Sequence, residues 1–156
     1  MPLRYFLFTP GFQYSFLFRY SQEGLFKFFW KVLLKFCSFK FGFQIPPETR
    51  IGRGVLIGHF GSIVVNPATI IGDNFNISNG VTIGNAAGKK SGTPVIGDNV
   101  CINANACVVG GITIGDDVLI APNAFVNFDV PSNSIVVGNP GKIIPRDSSP
   151  TAKYIV

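Results

Sequence analysis

From Ile51 onward a large apolar side chain returns at every sixth position: Ile51, Ile57, Ile63; then Ile71, Ile77, Ile83; then Ile96, Ile102, Val108, Ile114, Ile120, Val126. A second small or apolar residue falls four places after most of these, at Val55, Gly61, Phe75, Val81, Val100, Ala106, Ile112, Val118, Ala124 and Val130. This period predicts an all-β solenoid, a parallel β-helix. Each hexad makes one flat side, and three hexads make a triangular coil of about 18 residues whose apolar side chains stack on the next coil. Two steps break the rhythm. The step from Ile63 to Ile71 is two residues too long, which predicts an insertion at Pro67. The step from Ile83 to Ile96 is seven too long, which predicts a loop over residues 85–94, rich in Gly and Lys. A loop of that kind on a rigid scaffold is a common carrier of function.

The polar and apolar pattern changes near Pro46-Pro47. Residues 1–44 read as an aromatic, basic helical segment, residues 45–132 as the β-helix, and residues 133–156 as a tail. Most of the 16 Phe and the single Trp lie in the first segment. Lys27, Lys31 and Lys35 stand at four-residue spacing, so a helix from Glu23 to Lys40 carries them as one stripe. Apolar residues cover the rest of that helix, which predicts that most of its surface is buried. A shorter helix is expected from Gln13 to Gln22. Two readings stay open: the helices pack on each other, on the base of the β-helix or on a neighbouring subunit, or they lie in a membrane surface with Phe and Trp down and Lys up. The last ten residues read as polar and frayed.

Composition narrows the class. The apolar fraction of 47% suffices for a core, and the 18 Gly and 11 Pro are spread through the repeats as turn residues. A net charge of +5 is modest, and the cations cluster at the ends and in the loop. That suits a small phosphate-bearing ligand or an anionic membrane surface, with no nucleic acid. Cys37, Cys101 and Cys107 match no zinc spacing, so they read as free thiols in a cytoplasmic protein, with Cys101 and Cys107 facing outward. No convincing signal peptide and no membrane-spanning run is expected. Asp73, Asp98, Asp116 and Asp117 follow the hexad pattern as turn residues.

The hexads resemble the hexapeptide-repeat acyltransferases, whose fold implies a left-handed parallel β-helix here. The run from Ile51 to Val65, with His59 followed two residues later by Gly61, is similar to the serine O-acetyltransferase branch. Gly138-Asn139-Pro140-Gly141-Lys142 is similar to the terminal element of the family's coenzyme A site. Three positions depart from that branch. Gln44 stands where it has a carboxylate that orients the catalytic His, Pro46 where it has a His, and Thr93 where it has a second substrate-binding His. These departures point to a different acceptor, a saccharide hydroxyl of a capsule, lipopolysaccharide or exopolysaccharide precursor. Serine-type acetylation of an amino acid, or a non-catalytic scaffold, are the alternatives.

The resemblance gives the candidate residues their roles. His59, the only histidine, would be the general base that takes the hydroxyl proton. Gln44, Asn79 or a backbone carbonyl would orient it, and Asn85 would lie near the acceptor. Acetyl-CoA is the implied co-substrate, lying between subunits of a homotrimer. Its pantetheine would run along Gly84, Ala104 and Ala121, and its phosphates would meet Lys89, Lys90, Lys142 and Arg146. No metal is expected, because a zinc hydratase needs about three His at one site. The implied location is cytoplasmic, with peripheral contact at the inner membrane face through residues 1–44.

Overall fold

The computed structural model describes residues 9–23, 25–88 and 90–154. Two helices, α1 (Pro10–Glu23) and α2 (Lys27–Phe41), precede the solenoid. The first coil carries β1 (Phe43–Gln44), β2 (Arg50–Ile51) and β3 (Leu56–Ile57). The second carries β4 (Ile63–Val65), β5 (Ile70–Ile71) and β6 (Asn76–Ile77), and the third β7 (Thr82–Gly84), β8 (Val95–Ile96) and β9 (Cys101–Ile102). The fourth carries β10 (Cys107–Val109), β11 (Thr113–Ile114) and β12 (Leu119–Ile120). Then β13 (Phe125–Val126), β14 (Ser134–Val137) and β15 (Lys142–Pro145) close the top. Strands β1, β4, β7, β10 and β13 form one face, β2, β5, β8 and β11 a second, and β3, β6, β9, β12, β14 and β15 a third. Strands of successive coils pair in parallel, whereas β15 folds back antiparallel on β14.

The stacks explain the period. Ile51, Ile71, Ile96 and Ile114 align up the second face, and Ile57, Ile77, Ile102, Ile120 and Val136 up the third, all buried. No single coil could bury such residues; each needs the coils above and below it. The corners suit their residues as well. Asn74, Asn99, Asn105, Asp117, Asn123 and Asn133 turn the chain at φ of 55–61°, a region that Asn and Asp tolerate better than other side chains. Asp98 Oδ1 accepts the Asp73 N–H at 2.7 Å, and Asp116 Oδ1 accepts the Asp98 N–H at 2.8 Å. These carboxylates tie one coil to the next, in line with their turn reading.

One register differs from the period. Counting by six puts Ile63 in line with Ile83 and the insertion at Pro67. The structure pairs Val65 with Ile83, and Ile63 with Phe43. The long step therefore runs from Ile57 to Val65, and the two extra residues sit in the corner between β3 and β4. Ile63 and Val65 lie two apart on one strand, so both point inward and both are buried. Hydrophobicity alone does not choose between them; the interstrand bonds do, such as Val64 N–H to the Val81 carbonyl at 2.9 Å.

Helix α1 closes the base of the solenoid with buried Tyr14, Leu17 and Phe18. The Tyr14 hydroxyl donates to the Ile45 carbonyl at 2.8 Å, and its ring meets Phe43 edge-on with centroids 5.1 Å apart. Arg19 donates to the carbonyls of Ile51 and Gly52. Helix α2 packs on α1 through Trp30, which lies against Phe16 and Tyr20. The expectation that most of α2 is buried does not hold in the single chain: Leu34 is its one buried residue, and Phe28, Phe36 and Phe39 are exposed. Only the stripe that touches α1 and the first coil is covered. The tail also departs from its frayed reading. Ser149 Oγ donates to Asp117 Oδ1 at 2.6 Å, and Thr151 is buried. These partners are more than 30 residues apart, which is why local polarity mis-describes the segment.

Candidate active site at the widened corner

The corners joining the third face to the first stack into one edge of the prism. The Gly58 N–H bonds the Ile77 carbonyl at 3.1 Å, Ser78 N–H that of Ile102 at 3.0 Å, and Asn103 N–H that of Ile120 at 3.0 Å. His59 stands exposed on the lowest of these corners, the widened one. The corner is pinned on its far side, where Gly61 N–H bonds the Phe41 carbonyl and Ile63 N–H that of Gly42, each at 3.0 Å. Gly61 lies at φ 135°, and a Cβ there would stand 3.2 Å from Asn79 Cβ, so the corner closes tightly over the next coil. Among the described residues the His59 imidazole makes no hydrogen bond within one chain, to Gln44 and Asn79 included. Asn79, Ala104 and Ala121 share this edge, all half-buried.

Gln44 is exposed on β1, beside Val64 in register. It lines a cavity of about 380 Å³ with Lys31, Lys35, Ser38 and Glu48, between α2 and the first coil. Lys31 Nζ and Glu48 Oε1 are 3.3 Å apart. Glu48 is a charged group the sequence reading did not single out, and it carries no motif by which to find it.

Gly84, Asn85 and Lys90 belong to the next edge, between the first and second faces. Asn85 Oδ1 accepts the Gly92 N–H at 3.0 Å, and Ala86 bridges Gly92, so the loop closes on itself. It then lies on Gly110-Gly111, where Gly111 N–H bonds the Lys90 carbonyl at 2.9 Å. Gly110, at φ 103°, has room for no side chain: a Cβ would stand 2.8 Å from that same carbonyl oxygen. Lys90 Nζ meets Asp129 Oδ2 at 2.6 Å, so this candidate phosphate ligand is held by a carboxylate. That hydrogen bond, with the Thr113 N–H, holds the Asp129 carboxyl below its usual range. Lys89 lies outside the described residues. Thr93 Oγ1 donates to the Ala68 carbonyl at 3.1 Å. Lys142 and Arg146 are exposed at the two ends of the β15 region, on the third face. The candidates thus divide among separate regions of one chain.

Cys101 stands in the outward row of the third face, in register with Asn76 and Leu119, yet it is covered and buried, and burial pushes its thiol up to about 11. Cys107 is half-buried, and all three thiols are free. A raised thiol is a poor nucleophile near neutral pH, so these residues belong to the scaffold.

Residues 93–127 match the family described as bacterial transferase hexapeptide, six repeats. The serine acetyltransferase of Helicobacter pylori is 40% identical over 124 residues, 78% of this chain and 72% of the relative. The chain belongs to the hexapeptide-repeat transferases. Serine acetyltransferase 4 of Arabidopsis thaliana is 42% identical over 106 residues, covering 67% of this chain and 30% of that protein. A solved serine acetyltransferase in complex with CoA superposes with a TM-score of 0.74 at 28% identity, covering 88% of this chain and 58% of that one. The chain therefore spans well under two thirds of the length of some relatives. These comparisons overturn the saccharide acceptor. That expectation rested on Gln44, Pro46 and Thr93, three positions set against likeness to serine acetyltransferases through most of the chain. Loss of particular partners does not by itself exclude a substrate.

Proposed function

We propose that the protein is an acetyl-CoA-dependent O-acetyltransferase acting on the hydroxyl of an amino acid, with serine as the acceptor. The observation that carries this reading is the exposed, unpartnered His59 on a corner widened by two residues, in a chain 40% identical to a serine acetyltransferase over 124 residues. The imidazole takes the hydroxyl proton as the oxygen attacks the thioester carbonyl. The tetrahedral oxyanion then collapses, the C–S bond breaks, and the proton passes to the coenzyme sulfur. Backbone N–H groups at the edge stabilise the oxyanion.

The reading includes a left-handed coil, a cytoplasmic location and a homotrimer, as the family resemblance implies. The division of candidates supports the trimer: His59, Ala104 and Ala121 line one edge, and the Lys90 loop lines another. A groove between neighbouring copies would bring the edges together, with Lys142 and Arg146 near the phosphates. Incubation with acetyl-CoA and a panel of hydroxy amino acids, followed by mass spectrometry, tests the acceptor. Acetylated serine is the expected product; no acetylated amino acid at any tested concentration would sink the proposal.

A further inference from the structure

We infer that the outer face of α2 docks on an anionic lipid surface. Around the helix, at about 100° per residue, Phe28, Phe29, Val32, Phe36 and Phe39 fall on the side opposite buried Leu34. Phe28 is 82%, Phe36 69% and Phe39 77% exposed, and Leu25 and Phe26 extend the same apolar surface at the start of the helix. An apolar patch of this extent marks a contact surface. The charges beside it choose the occupant. Lys35 stands at one border of the aromatic stripe and Lys40 at the other, while Lys31 and Lys27 step back from it towards the Leu34 side. Among the described residues only Lys31 of these four meets a carboxylate, Glu48 at 3.3 Å. Lys35 and Lys40 instead lie over the Phe39 and Phe41 rings, 5.1 and 4.9 Å from their centroids. An aromatic stripe with cations on both borders and no acidic residue within the helix fits a bilayer interface, where rings enter the acyl boundary and ammonium groups reach phosphates. Among the described residues no helix is long and apolar enough to cross a membrane, so the contact is in-plane.

Co-sedimentation of the full chain with sucrose-loaded vesicles tests this. Vesicles of phosphatidylcholine with about one third phosphatidylglycerol should pull the protein down at low salt, and pure phosphatidylcholine should pull down much less. Replacing Lys40 by Gln should lower the anionic partition coefficient roughly fivefold. The combined Phe28→Ser, Phe36→Ser and Phe39→Ser variant should lose at least about tenfold on anionic vesicles. These side chains are exposed, so its circular dichroism and melting should match the parent, which separates lost binding from lost fold. Protein that stays in the supernatant with anionic vesicles overturns the inference. So does a triple variant that binds as the parent does, or one that loses only self-association in sedimentation velocity, which would assign the face to a second copy.

Discussion

Ile77 lies in the middle of the third-face stack, between Ile57 and Ile102, with none of its surface exposed. Ile70, on the adjacent face of the same coil, points outward and is 42% exposed. Replacing each by Ala removes the same atoms from two different settings. At Ile77 the lost transfer free energy is about 2.4 kcal/mol, three carbon groups at roughly 0.8 kcal/mol each. Its neighbours are fixed by the parallel ladders and can fill the hole only in part, so the cavity brings the cost to about 3–4 kcal/mol. At Ile70 water already covers part of the side chain and no closed cavity forms, so the cost should stay below about 1.5 kcal/mol. Urea titrations at one fixed protein concentration measure both, because any association would make stability depend on concentration. Equal costs at the two sites, or a cost below about 1 kcal/mol at Ile77, would refute the stacked-core assignment.

The tail should depend on one carboxylate. Asp117→Ala removes the acceptor of the Ser149 and Thr151 hydroxyls, and trypsin should then cut at Lys153 faster than in the parent; an unchanged rate contradicts the docking. The Cys101 thiol, pushed up to about 11, should be the slowest of the three to react with a disulfide reagent at pH 8, with all three reacting alike in guanidinium. Equal rates in the folded protein would count against its burial. Asp129 should titrate below its usual value of 3.8, and Lys90→Gln should raise it. Because the folded value is depressed, the associated stabilisation is present above the ordinary carboxylate range and is lost as pH falls through the folded value. Carboxyl carbon NMR reads the midpoint, and no change in the Lys90 variant would remove the ion pair from the account.

The repeat was readable because a β-helix writes its core into local spacing. From Ile71 to Val126 every sixth apolar residue lies in a stack, and the long step before Ile96 does hold a loop. The shift from Ile63 to Val65 was not readable, because two inward residues on one strand satisfy the same pattern. The position of the insertion matters, since it falls beside His59 and not at Pro67. Long-range partners were equally hidden. Asp129 holds Lys90 from 39 residues away, and Asp117 holds Ser149 from 32. His59 stood out as the single histidine, but its lack of a partner in one chain is a property of the folded corner. The departures at Gln44, Pro46 and Thr93 were visible, but three positions say little about the acceptor beside 40% identity to a serine acetyltransferase over 124 residues.

General-base catalysis by His59 is tested by steady-state release of free coenzyme A from acetyl-CoA in the presence of L-serine, comparing the parent with His59→Ala. A general base contributes about 10²–10⁴-fold. The variant should lose at least about 10² in kcat while its thermal-shift response to coenzyme A stays as in the parent. A His59→Ala protein that acetylates serine at the parent's rate would contradict the account.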